Sequence, residues 1–90
     1  MSWTIELTPD AEDDLARLDR PIAKRVRDAL AAIGKLQDPR LRGKALCGPL
    51  GDFWSYRVGD YRALCRIEDR RITVLVVKIA HRSEVYKQRH

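Results

Sequence analysis

The sequence predicts an α+β fold with the element order β-α-α-β-β-β. Three observations lead to this prediction: an alternating segment begins the chain, two amphipathic stretches follow it, and the second half contains a hairpin pattern and a long apolar run. The chain has 90 residues, of which 44% are hydrophobic. That length predicts a single domain over residues 1–90, with a core only marginally large enough to fold alone. A bound partner could therefore add to its stability.

A first strand is predicted at residues 3–8, because polar and apolar side chains alternate there. Its apolar face would contain Trp3, Ile5 and Leu7. A helix should begin directly afterwards, since Thr8 can cap it and Pro9 suits the first helical position. Acidic side chains in its first turn favour the positive end of the helix dipole.

A second amphipathic helix is predicted after Pro21. Its apolar side chains recur at helical spacing: Ile22, Val26, Leu30 and Ile33. Gly34 comes near its end and is a typical stop signal. The connection between the two helices is short, so they should form an antiparallel helical hairpin.

Residues 35–52 are rich in glycine and proline, which predicts a loop. This loop carries three basic side chains, those of Arg40, Arg42 and Lys44. Basic loops beside sheets often contact phosphate. A solvated connection is the alternative for Arg40 and Arg42, and the sequence leaves both interpretations open.

Residues 54–67 predict a β-hairpin whose two-residue turn is Gly59-Asp60. The turn fixes the facing pairs: Val58 with Tyr61, Arg57 with Arg62, Tyr56 with Ala63, and Trp54 with Cys65. Because side chains alternate along a strand, one face of the hairpin should hold aromatic and apolar residues and the other should hold arginines.

Two guanidinium groups that face each other repel, so the pair of Arg57 and Arg62 is disfavoured unless negative charge lies nearby. Neighbouring Asp or Glu side chains could supply it, and so could an anionic ligand. The whole chain has a net charge of +5, and residues 39–90 carry 12 basic and 5 acidic side chains, a net charge of +7. This asymmetry favours a polyanionic partner, most often nucleic acid.

The segment 72–79 is apolar on both faces and should be a central strand of the sheet. The turn that precedes it would set two facing pairs: Ile67 with Ile72, and Arg62 with Val77. Continued alternation then places His81 on the arginine side of the sheet and Lys78 on the opposite side. A shift of one residue in this register would reverse both assignments.

Cys47 and Cys65 are isolated thiols, and together with His81 and His90 they do not form a metal-ligand pattern. We expect a reduced cytosolic protein without structural zinc or another cofactor. The chain does not begin with a basic segment and a long apolar run, and no stretch approaches about 18 uncharged apolar residues. Secretion and membrane insertion are therefore not expected.

A histidine, an arginine and a tyrosine follow the last strand within six residues: His81, Arg82 and Tyr86. They could bring a proton carrier, a cation and a phenol to one phosphate. Two of them also have a structural alternative, since His81 could hydrogen-bond locally and Tyr86 could pack in the C-terminal turn.

Three motifs together resemble the RelE/ParE superfamily of bacterial toxins from type II toxin–antitoxin pairs, over essentially the full chain. They are Leu41–Leu50, Trp54 followed by Arg57–Arg62, and His81–Tyr86. The resemblance implies that a helical hairpin covers one face of a four-stranded, mainly antiparallel sheet, with the first strand beside the last. The order of elements predicted from the residues agrees with it.

The superfamily has two branches. RelE-like members cut messenger RNA at the ribosomal decoding site, whereas ParE-like members poison DNA gyrase. The resemblance is closer to the RelE branch, and it implies catalytic roles for Arg62, His81 and Tyr86. The alternatives are a gyrase poison without catalytic activity, or an inactive member that only binds its antitoxin.

In metal-independent RNA cleavage the ribose 2′-hydroxyl attacks the adjacent phosphate, so protons must move and phosphorane charge must be neutralised. Arg62, helped by Arg57, is expected to bind the phosphate, because guanidinium groups match phosphate oxygens and stay charged. His81 would be the acid, and Tyr86 would orient the nucleophile or act as the base if nearby cations lower its pKa. RNA contacts are expected from four basic side chains: Lys44, Arg57, Arg66 and Arg82.

The chain departs from the family pattern at three positions. Phe53 and Ser55 stand where some ribonuclease members carry lysines, and Cys65 stands where an aromatic residue is common. Lys44 and Arg66 could supply the missing positive charge. Phe53 could instead stack on a base.

The resemblance also implies partners. A RelB-like antitoxin encoded beside the toxin would fold on binding, laying an acidic amphipathic helix over apolar grooves and the basic face. The other partners would be the ribosome and its messenger RNA. We therefore expect a cytoplasmic protein that forms a hetero-oligomer with its antitoxin.

Overall fold

The computed structural model describes residues 2–46 and 53–87, and for residues 85–87 the backbone only. The helices and strands in these ranges are β1 (Thr4–Leu7), α1 (Pro9–Ala16), α2 (Arg20–Gly34), β2 (Lys44–Ala45), β3 (Trp54–Val58), β4 (Tyr61–Glu68), β5 (Thr73–His81) and α3 (Arg82–Lys87). The strands form one sheet in the order β1-β5-β4-β3-β2, in which β1 is parallel to β5 and all other neighbours are antiparallel. The predicted α+β class is confirmed, and so is the position of the first strand beside the last.

β2 lies within the segment for which the sequence predicts a loop. The described sheet therefore has five strands, not four. Two residues are too few to show an alternating pattern, and the glycines and prolines around them indicate a loop. α3 is a second addition to the predicted order. Among the helices of the described ranges, none combines the length and apolar character needed to cross a bilayer.

The core lies between the helices and one face of the sheet, which we call the helix face. α1 begins at its predicted cap, since Thr8 Oγ1 accepts a hydrogen bond from the backbone N–H of Ala11 at 3.2 Å. The predicted stripe of α2 is buried against strand residues: Val26, Leu30 and Ile33 belong to one cluster with Tyr56, Ala63, Cys65, Val74, Val76 and Ile79. Each large side chain buried in this way contributes about 1.5–3 kcal/mol to the free energy of folding.

Gly34 ends α2, but the physical reason differs from the predicted stop signal. The capping residue Lys35 has right-handed helical backbone angles (φ −87°, ψ −9°), so α2 has no left-handed glycine cap. Instead, the Gly34 carbonyl oxygen accepts a hydrogen bond from the Trp3 N–H at 2.7 Å, and a Cβ atom on residue 34 would lie 2.9 Å from the Trp3 carbonyl oxygen. The glycine is required because α2 approaches the backbone before β1 so closely.

The predicted register of the β3–β4 hairpin is confirmed. Its facing pairs include Trp54 with Cys65, Tyr56 with Ala63, Arg57 with Arg62, and Val58 with Tyr61. Local alternation and a two-residue turn were sufficient to define this pairing, because a short turn leaves only one way to align the strands.

The predicted register between β4 and β5 is wrong at its first pair. Ile67 faces Val74 and not Ile72. Ile72 instead closes the 3₁₀ turn Asp69–Arg71, with left-handed backbone angles (φ 48°, ψ 50°) and an N–H that donates to the Asp69 carbonyl oxygen at 3.1 Å. Ile72 is therefore part of the turn, and pairing starts one residue later.

A β-bulge shifts the β4–β5 register again. The facing pairs on its two sides are Cys65 with Val76, and Leu64 with Lys78. Val77 is the additional residue on β5, opposite the step between Leu64 and Cys65.

The bulge reverses the two face assignments that the sequence predicts. Arg62 faces Ala80, and His81 faces Tyr61 on the helix face. Lys78, which faces Leu64, lies on the same side of the sheet as Arg62. Both predictions were wrong because alternation counts every residue, and one additional residue exchanges the faces for all that follow.

Candidate nucleic-acid interface

The sheet face opposite the helix face carries a group of basic side chains. The strand register places five of them there, and we call this group the arginine face: Lys44, Arg57, Arg62, Arg66 and Lys78. They come from four neighbouring strands. Lys44, Arg57 and Arg66 are exposed, whereas Arg62 and Lys78 are half-buried. Three of the four predicted RNA-binding residues are thus on one face with Arg62.

Arg57 and Arg62 face each other directly across the hairpin. Among the residues that the structure describes, no Asp or Glu side chain forms an ion pair with either guanidinium group. Like charges in this position destabilise a strand pair. The described residues therefore do not supply the acidic neighbours that were one alternative, and the pair is suited to an anionic ligand.

The Arg62 guanidinium group is directed toward the hairpin turn. Its Nη1 group donates to the carbonyl oxygens of Tyr61 at 3.1 Å and Gly59 at 3.4 Å. Its Nε and Nη2 groups make no hydrogen bond to a residue of the described ranges. A guanidinium group held through one nitrogen can present the others as a fork to a phosphate.

Lys44 is held in place by a segment that packs closely on β3. Two aromatic side chains of β3 donate hydrogen bonds to carbonyl oxygens of this segment, both at 2.7 Å: Trp54 Nε1 to Arg42, and Tyr56 OH to Pro39. Gly43 has φ +74°, and a Cβ atom there would lie 2.5 Å from the Ser55 carbonyl oxygen. This close approach positions Lys44 opposite Ser55 on the arginine face.

Arg40 has a structural role. Its two Nη groups donate to both carboxylate oxygens of Asp69, at 3.0 Å and 2.8 Å. These hydrogen bonds raise the pKa of Arg40 and lower the pKa of Asp69. The ion pair joins the segment before β2 to the turn between β4 and β5, so the Arg40 guanidinium group is held by Asp69. Both Arg40 and Arg42 are exposed.

A small apolar cluster interrupts the arginine face. Leu64 and Ala80 are 3% and 4% exposed, and they pack with Leu46 and Val77. Ser55 on the same face is also buried. The cations therefore surround an apolar centre and do not form one continuous strip.

His81 lies at the end of β5, away from the arginine face. Its ring meets the Tyr61 ring edge-on, with centroids 5.5 Å apart and planes at 86°. Its Nδ1 atom lies 2.9 Å from Ser83 Oγ and 3.3 Å from the Ser83 nitrogen. Local hydrogen bonding, which the sequence left as an alternative, is therefore present. The predicted convergence of His81 with Arg62 on one face is not.

α3 begins beside the hairpin turn, because the Arg82 N–H donates to the Asp60 carbonyl oxygen at 2.8 Å. The Arg82 side chain is exposed. The Arg62 side chain and the Arg82 backbone N–H thus both donate hydrogen bonds to carbonyl oxygens of the same hairpin turn. Tyr86 lies one helical turn further along α3, and its side chain is outside the described part of the chain, so its role stays a prediction.

Burial excludes two other groups from acid–base chemistry. It raises the pKa of the Cys65 thiol to about 12 and also raises the pKa of Tyr56, whose hydroxyl group already donates to Pro39. Neither group ionises near neutral pH. Across residues 2–46 and 53–84, we find no cluster of three or more His, Cys, Asp or Glu side chains that could hold a metal ion.

The sequence matches a known protein family over most of its length. Residues 5–86 match the family described as the ParE toxin of type II toxin–antitoxin system, parDE. The chain belongs to this toxin family. The toxin is 36% identical over 89 residues to Toxin RelG of Mycobacterium tuberculosis, covering 98% of this chain and 100% of the relative. It is 34% identical over 85 residues to Toxin RelE of the same organism, covering 94% and 87%. It is therefore a RelE-like toxin of a type II toxin–antitoxin system, as the motifs predicted.

Solved structures show the same fold. The toxin–antitoxin complex RelBE2 from M. tuberculosis matches with a TM-score of 0.81 at 32% identity, covering 92% of this chain and 94% of that chain. A free-state E. coli RelE in which two arginines are replaced by alanine matches with a TM-score of 0.77 at 19% identity, covering 99% and 95%. The second likeness concerns the fold alone.

The structure accounts for two of the toxin's departures from the family pattern. Ser55 and Cys65 are buried, so each is a packing position in this chain. Lys44 supplies a cation opposite Ser55 from the neighbouring strand. Phe53 is half-buried, and its carbonyl oxygen accepts a hydrogen bond from the Leu46 N–H at 3.1 Å. Base stacking by the Phe53 side chain stays a prediction.

The sequence analysis placed one residue of the toxin on the wrong face and missed the role of another. Lys78 joins the arginine face because of the bulge. Asp14 of α1 accepts a hydrogen bond from the Ile79 N–H at 3.0 Å, just beyond the bulge. No local pattern marks either role, because both depend on which residues of distant segments meet.

Proposed function

We propose that the toxin is an endoribonuclease that cuts messenger RNA on the ribosome. The observation that carries this proposal is the facing pair Arg57 and Arg62, which lacks an acidic partner among the described residues and lies within a basic face built from four strands. Its similarity to toxins named RelG and RelE supports the same conclusion.

The chemistry follows from the substrate. The ribose 2′-hydroxyl loses its proton and its oxygen bonds to phosphorus, while the bond from phosphorus to the 5′-oxygen breaks and that oxygen gains a proton. Because RNA supplies its own nucleophile, the proposed reaction requires no metal-bound water and no cofactor.

Arg62 binds the reacting phosphate in this scheme, and Arg57 assists. Both groups keep their charge at neutral pH and match the phosphate oxygens, so they stabilise the charge that develops on the phosphorane. Tyr86 orients the 2′-hydroxyl or accepts its proton. The sequence-based hypothesis assigns the proton of the leaving oxygen to His81, and this role stays a prediction.

The remaining basic side chains hold the RNA backbone. Lys44, Arg66 and Arg82 are exposed at different places around Arg57 and Arg62, so they can contact phosphates on either side of the cleaved bond. Contacts to phosphate position a nucleic acid without reading its sequence. We therefore assign codon preference to other contacts, made with the ribosome in place.

The proposed physiological partner is a RelB-like antitoxin. The relative that matches at 32% identity was solved as a toxin–antitoxin complex. An acidic antitoxin segment would neutralise the arginine face and block phosphate from it, and opposite charges would speed their association. Because the proposed target is the ribosome, we place the complex in the cytoplasm.

Gyrase poisoning is the second candidate function. One observation favours it: the matching family is described as the ParE toxin. In that case the basic face would bind protein or DNA without cutting RNA. A family member that only binds its antitoxin is the remaining alternative.

The deciding experiment adds the purified toxin to a reconstituted translation reaction and maps the messenger RNA by primer extension. We expect cuts only when ribosomes are present. Arg62→Ala should reduce the cleavage rate by about 10²–10³-fold, as the loss of a group that stabilises transition-state charge does. Tyr86→Phe should also reduce it.

Arg20→Ala serves as the matched control, because it removes an exposed arginine from α2 and leaves the arginine face intact. Circular dichroism would verify that each variant is folded. An intact message together with inhibited DNA supercoiling would replace the ribonuclease with a gyrase poison. An intact message and unaffected gyrase, with retained antitoxin binding, would leave only the inactive binding domain.

A further inference from the structure

His81 occupies the position immediately before α3. β5 ends at His81 and α3 begins at Arg82, so His81 is the N-cap residue of this helix. An N-cap side chain stabilises a helix by accepting a hydrogen bond from a backbone N–H two or three residues further along. The Ser83 N–H is two residues along, and it donates to His81 Nδ1 at 3.3 Å.

This contact determines which ring nitrogen carries the proton. A backbone N–H can only donate, so Nδ1 must be unprotonated to accept it. The Ser83 hydroxyl group, 2.9 Å from the same atom, then donates as well. The ring is neutral in this arrangement, with its proton on Nε2. An imidazolium ring would direct a second N–H at Ser83 and abolish the cap.

We infer that His81 is a positioning residue that caps α3, and that it is not the general acid of the proposed cleavage. α3 carries Arg82 and Tyr86, both of which the proposed function uses. A histidine acts as a general acid in its imidazolium form, which carries a proton on both ring nitrogens, whereas the cap requires an unprotonated Nδ1. The effect on cleavage rests on the proposed function, but the cap itself does not.

The location of the ring supports the inference. It lies on the helix face against Tyr61, while Arg62 lies on the arginine face. The ring lines a cavity of about 230 Å³. Its other titratable or charged side chains are Asp14 of α1, Arg17 directly after α1, Tyr61 of β4 and Glu84 of α3. Asp14 is hydrogen-bonded to the Ile79 N–H. No described carboxylate forms an ion pair with His81.

Substitution by asparagine separates the two roles. His81→Asn keeps a side-chain acceptor that is favoured at the N-cap position but cannot donate a proton as an imidazolium does, whereas His81→Ala has neither. Both variants lose the ring contact with Tyr61, so their difference reports the cap. Ser83→Ala is the control, because it removes the hydroxyl group and keeps the backbone N–H.

The first measurement is amide hydrogen exchange by NMR in the full-length toxin, with the tautomer of His81 read from the ¹⁵N shifts of its ring. We expect an Nε2–H tautomer and, for His81→Ala, amide exchange at Ser83 and Glu84 that is about fivefold faster than in the wild type. His81→Asn and Ser83→Ala should stay within about twofold of the wild type.

An Nδ1–H tautomer at neutral pH, or equal exchange in the asparagine and alanine variants, would overturn the inference. These measurements do not require cleavage, so they decide the cap even if the toxin proves not to be a ribonuclease.

The second measurement is the cleavage rate in the translation reaction. His81→Ala should lose about fivefold, matching the loss of helix order, and His81→Asn should restore the rate. A loss of about 10²–10⁴-fold in both variants would show that His81 acts as the acid and would overturn the positioning role.

Discussion

Arg57 and Arg62 are direct cross-strand neighbours in the β3–β4 hairpin, and the described part of the chain places no carboxylate against either of them. Facing like charges lower the stability of the free protein. A bound phosphate would remove this repulsion. The same pair therefore connects the stability of the toxin with its proposed function, and the two can be measured separately.

Replacing one of these arginines by an acid should stabilise the free toxin. We expect Arg57→Glu to raise the free energy of unfolding by about 0.5 kcal/mol, since an attractive pair replaces a repulsive one. Urea denaturation at low salt would measure the gain, which should shrink at high salt. Arg66→Glu is the matched control, because Arg66 faces Leu75 and gains no cross-strand ion pair. An equal gain in both variants would contradict the explanation.

Lys44 should contribute one phosphate contact. For a 2′-O-methyl oligoribonucleotide, which cannot be cleaved, we expect Lys44→Ala to reduce the slope of log affinity against log salt concentration by about 0.7. Gly43→Ala should cause the same reduction although the lysine remains, because its Cβ atom would force the segment off β3.

Fluorescence anisotropy over a salt series would measure these slopes. Lys35→Ala, which removes an exposed lysine just beyond α2, should leave the slope unchanged. If Gly43→Ala retained the full slope, the packing of this segment would not be what positions Lys44.

The ion pair between Arg40 and Asp69 should make stability depend on pH at the acid end. Hydrogen bonds from Arg40 lower the pKa of Asp69 in the folded state, so the unfolded state binds the proton more readily. The stabilisation is present above the unfolded pKa, about 3.8, and is lost as the pH falls through the lower folded pKa. Thermal melts of wild type and Asp69→Asn should therefore differ at neutral pH and converge in acid. Melting curves that stay apart at the lowest pH would refute this account.

The Cys65 thiol should be unreactive in the native toxin. It is fully buried, and burial raises its pKa to about 12, so almost none is thiolate near neutral pH. In a Cys47→Ser background, which leaves one thiol, a disulfide-exchange reagent should label Cys65 only at the rate of unfolding. Because the folded pKa is raised, its contribution to stability is complete below the unfolded pKa and declines as the pH rises toward 12. Rapid labelling without denaturant would show that the site opens locally.

Local patterns determined most of the fold. The cap at Thr8, the stripe from Val26 to Ile33 and the hairpin turn Gly59-Asp60 are short-range signals, and the structure confirms all three. The two-residue turn fixes the hairpin register, and this register places Arg57 opposite Arg62 without reference to any other tertiary contact. The family likewise followed from motifs within the chain.

The roles of particular site residues could be predicted less well from the sequence. The sequence placed Lys44 in a loop, where Pro39 and Gly43 conceal a strand of two residues. It could not show that Arg40 forms an ion pair with Asp69, since these residues are 29 positions apart. Such contacts depend on how separate segments pack, and no local pattern encodes them.

The tertiary structure alone decided which face of the sheet His81 and Lys78 occupy. Alternation along a strand is a count, so it holds only while every residue is paired. Val77 breaks the count as an additional residue, and Ile72 is taken up by the preceding turn. The sequence determined the strands, the hairpin and the positions of the cationic residues along the chain. The pairing of β5 with β4 decided that His81 lies beside Tyr61 and that Lys78 lies beside the arginines. The reason is that the faces of a strand are set by its pairing with its partner and not by its own pattern alone.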